Sequence, residues 1–309
     1  MSAASDHGAS GPVSSSAAAS SAAPPAWQTS RYRIDLTVPR VMGIVNVTPD
    51  SFSDGGEHAD ARSAIAHAER LVREGADLLD IGGESSRPGA ATLTHAEEWR
   101  RVEPVLRAAL TLGVPVSVDT CKPETMRAAL ALGVDIVNDI RALRAPGALE
   151  CVAAHPACGV CLMHMRGDPA TMQQQTDYAD VVDEVTAFLR ERVDACAAAG
   201  VARERIVIDP GIGFGKTVAQ NFALLARQAE LLGLGLPLLA GWSRKSSLGA
   251  VTGRPVGERL AASVAAALAA VERGARIVRV HDVAATVDAL AVWRAAAGTI
   301  PAASPTTPR

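Results

Sequence analysis

Between Val41 and Val280 the chain repeats one pattern eight times: a short run of apolar, often β-branched residues, then a longer Ala-, Leu- and Arg-rich stretch of helical character. The runs are Val41–Val47, Leu78–Ile81, Val114–Val118, Ile136–Val137, Val160–Met163, Ile206–Ile208, Leu238–Ala240 and Ile277–Val280. Parallel strands need a crossover between them, usually a helix, so this alternation predicts a parallel sheet clad in helices. Eight units are what such a sheet needs to close on itself, and the expected fold is a single-domain α/β structure, a (β/α)8 barrel. Helix ends are marked as well. The helix after the first run reads Asp60 to Glu74 and stops at Gly75, and Gly75-Ala76-Asp77, Gly133-Val134-Asp135 and Gly274-Ala275-Arg276 each put a glycine cap just before a strand.

The flanks lack that pattern. Residues 1–30 are rich in Ala, Ser and Gly and too poor in large apolar groups to offset their ordering entropy, so they read as a disordered low-complexity tail. No basic segment precedes the Ala runs, and Asp6 comes early, which argues against a targeting peptide. Residues 31–297 then make the barrel, and 298–309, rich in Pro and Thr, a frayed end. With 30 Lys+Arg against 33 Asp+Glu the net charge is −3, so no global basic field favours nucleic acid or an anionic membrane. Any anion must be held by a local cluster. The most apolar stretch, Leu260–Val271, is too short to cross a bilayer and is closed by Glu272 and Arg273. The five cysteines, Cys121, Cys151, Cys158, Cys161 and Cys196, form no disulfide framework and point to a reducing, cytoplasmic compartment.

A (β/α)8 barrel builds its chemistry at the C-terminal ends of its strands. Just after the eight runs stand Asn46 with Thr48, Glu84 with Ser86 and Arg87, Asp119, Asn138 with Asp139, His164, Asp209, Ser243-Arg244-Lys245, and Arg279 with His281. Asp119, Asn138, Asp209 and Lys245 together offer carboxylate acceptors, an amide that donates and accepts, and an ammonium donor. That set suits a flat heterocycle with guanidine-like N–H edges and a ring carbonyl. The competing reading of Asp119 and Asp209 is helix capping, encouraged by Pro123 and Pro210 nearby. Arg279 and His281 are two apart on an extended segment and face one side, as a cationic pair brought beside Asn46 by barrel closure. A diphosphate with a divalent metal fits that corner.

Two attractive motifs fail on inspection. In Pro210-Gly211-Ile212-Gly213-Phe214-Gly215-Lys216-Thr217 the first glycine of a phosphate-binding P-loop would have to be Pro210, and the third glycine of a dinucleotide fingerprint would have to be Lys216. A tight turn beneath a ligand remains. The spacing His155-x-x-Cys158-x-x-Cys161-x-x-His164 hints at zinc, but Cys161 falls inside an apolar strand, where four ligands three residues apart cannot converge.

Met42-Gly43-Ile44-Val45-Asn46-Val47-Thr48-Pro49-Asp50-Ser51-Phe52-Ser53-Asp54-Gly55-Gly56 closely resembles the N-terminal signature of dihydropteroate synthases. Asp80-Ile81-Gly82-Gly83-Glu84-Ser85-Ser86-Arg87-Pro88-Gly89 resembles the second signature, and Val118-Asp119-Thr120, Val137-Asn138-Asp139, Asp209-Pro210-Gly211, Ser243-Arg244-Lys245 and Arg279-Val280-His281-Asp282 are similar to later ones. The resemblance implies a pterin-binding TIM barrel that joins (7,8-dihydropterin-6-yl)methyl diphosphate to 4-aminobenzoate. It carries pterin contacts onto Asp119, Asn138, Asp209 and Lys245, and diphosphate and Mg2+ contacts onto Asn46, Arg279 and His281. Aminobenzoate contacts fall on Ser86, Arg87, Pro88, Phe214 and Ser243, and residues 48–56 become a mobile first loop. Asp119, Lys245 and Arg279 are the expected catalytic groups, Asn46 the metal ligand, and a cytoplasmic homodimer the expected state. Two positions depart from the family pattern: Ser86 stands where Thr is usual, and Ile212 where Phe is common. A folate-dependent methyltransferase domain or a non-catalytic pterin-binding homologue would share the Asp/Asn set. The methyltransferase has no need for the diphosphate corner, and the non-catalytic homologue predicts gaps in residues 48–56 or in Ser243-Arg244-Lys245, where the sequence has none.

Overall fold

The computed structural model describes residues 25–47, 57–85 and 92–298. The first loop, residues 48–56, and Ser86, Arg87 and Pro88 lie outside the described residues. The described chain enters through an antiparallel hairpin of β1 (Ala26–Gln28) and β2 (Arg33–Asp35). Residues 26–30, which the sequence assigned to the tail, belong to this hairpin. These three-residue strands are too short to show an alternation of their own. They hold because Trp27 is fully buried and donates its indole N–H to the Arg205 carbonyl at 2.9 Å, while Arg31 grips the buried Asp135 carboxylate through Nε (2.9 Å) and Nη2 (2.7 Å).

All eight expected strands are present: β3 (Arg40–Asn46), β4 (Leu78–Gly82), β5 (Val116–Asp119), β6 (Ile136–Asp139), β7 (Gly159–Met163), β8 (Ile206–Asp209), β9 (Leu239–Ala240) and β10 (Ile277–Val280). They pair in parallel in the order β8-β7-β6-β5-β4-β3-β10-β9, and a parallel bridge between Ile208 and Leu238 joins the two ends. Around them run α1 (Glu57–Arg73), α2 (His95–Ala109), α3 (Pro123–Leu132), α4 (Ala148–Ala154), α5 (Val181–Ala198), α6 (Val218–Ala226), α7 (Gln228–Leu231), α8 (Ser246–Thr252), α9 (Leu260–Glu272) and α10 (Val283–Ala296). Gly75, Gly133 and Gly274 all take left-handed φ, at 98°, 103° and 95°, where the sequence placed helix caps. None of the helices described is long and apolar enough to cross a membrane.

Period two splits each strand between two cores. One face, with Val41, Val45, Leu79, Ile81, Val118, Val137, Ile208 and Val278, packs against the helices. The other face fills the barrel: Met42, Leu78, Ile136, Cys161, Val207, Leu239 and Ile277 form an apolar floor, which Trp27, Ile34 and Leu36 cover from the hairpin side. The hairpin is thus a plug for the N-terminal end, and the opposite end is left for chemistry.

Candidate active site

Two residues beyond the floor on the same inward faces stand Asp80, Asn138, Met163, Asp209 and Arg279. A polar layer therefore lies directly above an apolar one. Arg279 is its centre. Its Nε donates to Asp80 Oδ2 at 2.6 Å and its Nη2 to Asp119 Oδ2 at 2.7 Å, and Asp80 Oδ2 also accepts from Asn138 Nδ2 at 3.0 Å. Asp80 is completely buried and its Oδ1 has no partner among the described residues, whereas Asp119 and Arg279 each keep about a fifth of their side chains accessible (23% and 21%). Burial pushes the Asp119 carboxyl up, against the pull of Arg279, with Asp80, Glu98 and Asp139 adding to the rise. Burial also opposes the Arg279 charge, but Asp80 and Asp119 outweigh it and hold the guanidinium above its ordinary range.

Strand register sets the neighbours. One row of the sheet runs Asn46, Gly82, Asp119 and Asn138. Gly82 packs closely in it, since a Cβ there would stand 3.3 Å from the Asp119 Cβ and press on that side chain. Across the barrel, Asp209 accepts the Gly211 N–H at 2.7 Å. Its carboxyl is raised by burial and pulled back by that N–H and by the Lys245 ammonium. Lys245 precedes α8 with its Nζ 4.2 Å from the centre of the Phe214 ring, and burial lowers it to about 8. Capping is excluded as the purpose of either aspartate: α3 has no side-chain cap, and α6 is capped by Thr217 in a reciprocal box with Gln220.

The β10 corner differs from its expected character. His281 shares Ser243 Oγ through its backbone N–H (3.1 Å) and its Nδ1 (3.0 Å), and burial, then Arg244 and Arg279, lowers it to about 3. A ring lowered that far stays neutral near pH 7, so Arg279 and His281 are a cation beside a neutral ring, not a cationic pair. Arg279, for its part, is already engaged by two carboxylates. Beside it Arg244, a non-glycine residue at φ 59°, forks onto the Asp282 carboxylate at 3.1 and 2.6 Å, which takes that group away from capping α10. Asp139 and Glu84 have structural partners: Asp139 accepts the Arg141 and Leu143 N–H groups, both at 2.8 Å, and Glu84 pairs with Lys122.

The glycine turn after β8 is sharp, with Gly211, Gly213 and Gly215 all left-handed at φ 68°, 84° and 63°. The zinc spacing disperses: Cys158 packs on Arg205, Cys161 joins the apolar floor, and His164 meets Lys216 at 2.9 Å. Among the described residues no cluster of three His, Cys, Asp or Glu side chains could hold a metal.

The family model described as "Pterin binding enzyme" matches residues 42–281, from the first barrel strand to the His281 corner. The dihydropteroate synthase of Neisseria meningitidis serogroup B is 54% identical over 275 residues, covering 87% of this chain and 96% of the relative. The chain belongs to the dihydropteroate synthase family. Among solved members, the Xanthomonas albilineans dihydropteroate synthase with 4-aminobenzoic acid superposes with a TM-score of 0.85 at 53% identity, covering 90% of this chain and all of that one. The same enzyme in complex with 7,8-dihydropteroate gives 0.79 at 52% identity, over 87% of this chain and 97% of that one. In this dihydropteroate synthase family barrel, Asp119, Asn138, Asp209, Lys245, Phe214, Ser243, Arg279 and His281 gather at one mouth, as their positions after the strands implied. Asp80 and Lys216 are the functional-looking residues that sequence reasoning passed over. Asp80 sits inside the apolar run Leu78-Leu79-Asp80-Ile81, where a carboxylate in the middle of a buried strand was itself the available signal.

Proposed function

We propose that this chain condenses (7,8-dihydropterin-6-yl)methyl diphosphate with 4-aminobenzoate, giving 7,8-dihydropteroate and diphosphate. The observation that carries the reading is the polar layer at the barrel mouth: Asp119, Asn138, Asp209 and Lys245 converge in a chain more than half identical to a dihydropteroate synthase. Asp209 would accept the pterin's amino and ring N–H groups, and Lys245 would donate to its carbonyl. The C–O bond to diphosphate breaks with its electron pair leaving on oxygen, the aryl amine nitrogen bonds to the methylene, and that nitrogen gives up a proton. Asp119 favours the positive charge that develops on the pterin. No side-chain nucleophile is needed.

In this reading Asn46, His281 and the accessible part of Arg279 face the diphosphate, and Ser86, Arg87, Pro88, Phe214 and Ser243 take the aminobenzoate. Mg2+ fits as an ion carried by the diphosphate. The Asn46 amide oxygen offers one hard ligand, Asp80 and Asp119 are committed to Arg279, and magnesium ordinarily keeps waters and phosphate oxygens in its shell. When bound, it would neutralise charge on the leaving group. We place the enzyme in the cytoplasm as a homodimer. The test is diphosphate release from the purified chain. Release that requires both substrates and matches 7,8-dihydropteroate formed one for one supports the assignment, and release with no aminobenzoate present contradicts it.

A further inference from the structure

Lys216 is 3% exposed, and among the described residues no carboxylate forms an ion pair with it. Burial lowers the amine to about 7 and Asp209 acts on it only from beyond ion-pair distance, so the position holds its place through N–H donors and not through a salt bridge. Its Nζ reaches the Gly211 carbonyl at 2.9 Å, the Phe214 carbonyl at 3.0 Å and His164 Nδ1 at 2.9 Å. His164, lowered to about 2 by burial and then by Lys216, stays neutral and meets the amine through Nδ1. The two ends of the turn that contains Phe214 are thus tied to one point, itself anchored at the end of β7. Gly211 is also the residue whose N–H holds Asp209, and a Cβ on it would lie 1.9 Å from the His164 carbonyl oxygen, so the turn has no room to shift on that side. Two further donors from the segment after β7 fasten the middle: Gln173 Nε2 to the Gly213 carbonyl (3.0 Å) and Tyr178 Oη to the Gly215 carbonyl (2.9 Å).

We propose that Lys216 is a positioning residue for the reaction: its amino group, with Gln173 and Tyr178, clamps the glycine turn in the shape that sets Phe214 under Lys245 and the Gly211 N–H on Asp209. The role rests on the proposed synthase activity, with Phe214 on the aminobenzoate side of the site.

Steady-state kinetics with both substrates, run on the unaltered chain and on Lys216→Met, Lys216→Gln, Tyr178→Phe and Gln173→Ala, test it. A role in stability alone lowers the folded fraction, which scales kcat and leaves KM untouched. The clamp predicts that Lys216→Met raises the aminobenzoate KM roughly ten-fold or more, because small misplacements of positioning groups are amplified at the reacting centre. Lys216→Gln, which keeps N–H donors, recovers part of the loss. Tyr178→Phe and Gln173→Ala, each losing one bond at a less buried site, raise the same KM by about two- to three-fold, in line with one modest hydrogen bond. If Lys216→Met does not fold, those two decide. Unchanged KM in the folded variants overturns the clamp while leaving the activity standing, and absence of turnover by the unaltered chain overturns both.

Discussion

Replacing Arg279 with Met removes the single cation shared by Asp80 and Asp119 and keeps a side chain of similar bulk. Asp80 is left fully buried, and among the described residues its Oδ2 then holds only Asn138 and its Oδ1 no partner. Breaking a buried ion pair by deleting one partner costs about 3–5 kcal/mol, which for a chain of this size is roughly 5–8 °C of Tm. The protein can recover part of this by protonating a carboxyl, and that fixes the pH dependence. A carboxyl raised in the folded state binds more protons there than in the unfolded chain, so stability falls as pH rises from the unfolded value, about 4, through the folded one, and flattens above it. Asp119 is already pushed upward by burial with Arg279 in place, and without Arg279 its rise is larger. Urea denaturation of the unaltered chain and Arg279→Met between about pH 4.5 and 8 should show a gap that widens with pH. A gap below about 1 kcal/mol, or one independent of pH, would refute the claim that Arg279 is the counter-charge of the site.

Other expectations concern the plug and the pterin donor. Trp27→Ala opens the barrel floor and frees the Arg205 carbonyl, so stability should drop by about 3–5 kcal/mol while kcat per folded molecule is retained; a kcat loss without a Tm loss contradicts the plug role. The Lys245 ammonium, lowered to about 8, is present below that pH and lost above it, so pterin affinity should weaken between about pH 7 and 9 in the unaltered chain, relative to a flat, weak profile in Lys245→Gln. Calorimetric titrations that give parallel profiles for the two proteins would remove Lys245 from the pterin contacts.

The eight strands were legible because each is a short apolar run and most are ended by a polar residue, and the helix stops because Gly75, Gly133 and Gly274 have φ values that other residues resist. The mouth was legible for a related reason: Asp119, Asn138, Asp209 and Arg279 lie within or directly after the runs, where the barrel puts its C-terminal ends. The hairpin was not, since three residues carrying one Trp cannot display a period. Nor was Asp80, whose place in an apolar run looked like strand interior, although that interior is the wall of the site. Lys216 bonds to carbonyls and to one imidazole, partners that no spacing in sequence announces. The charge of His281 needed the structure as well, because burial and the nearby Arg244 and Arg279 decide it.

The most direct test of the polar layer as the pterin pocket is calorimetric titration of Asp209→Asn with the pterin alcohol, which lacks the diphosphate. The substitution keeps shape but exchanges a carboxylate acceptor for an amide whose NH2 can face the pterin's own donors. Loss of a charge-assisted, buried contact costs a few kcal/mol, so affinity should fall by roughly two orders of magnitude or more, with Tm held or raised because a buried charge has been removed. Pterin affinity within about three-fold of the unaltered chain would contradict the account, since a three-fold change is well under the worth of one such contact.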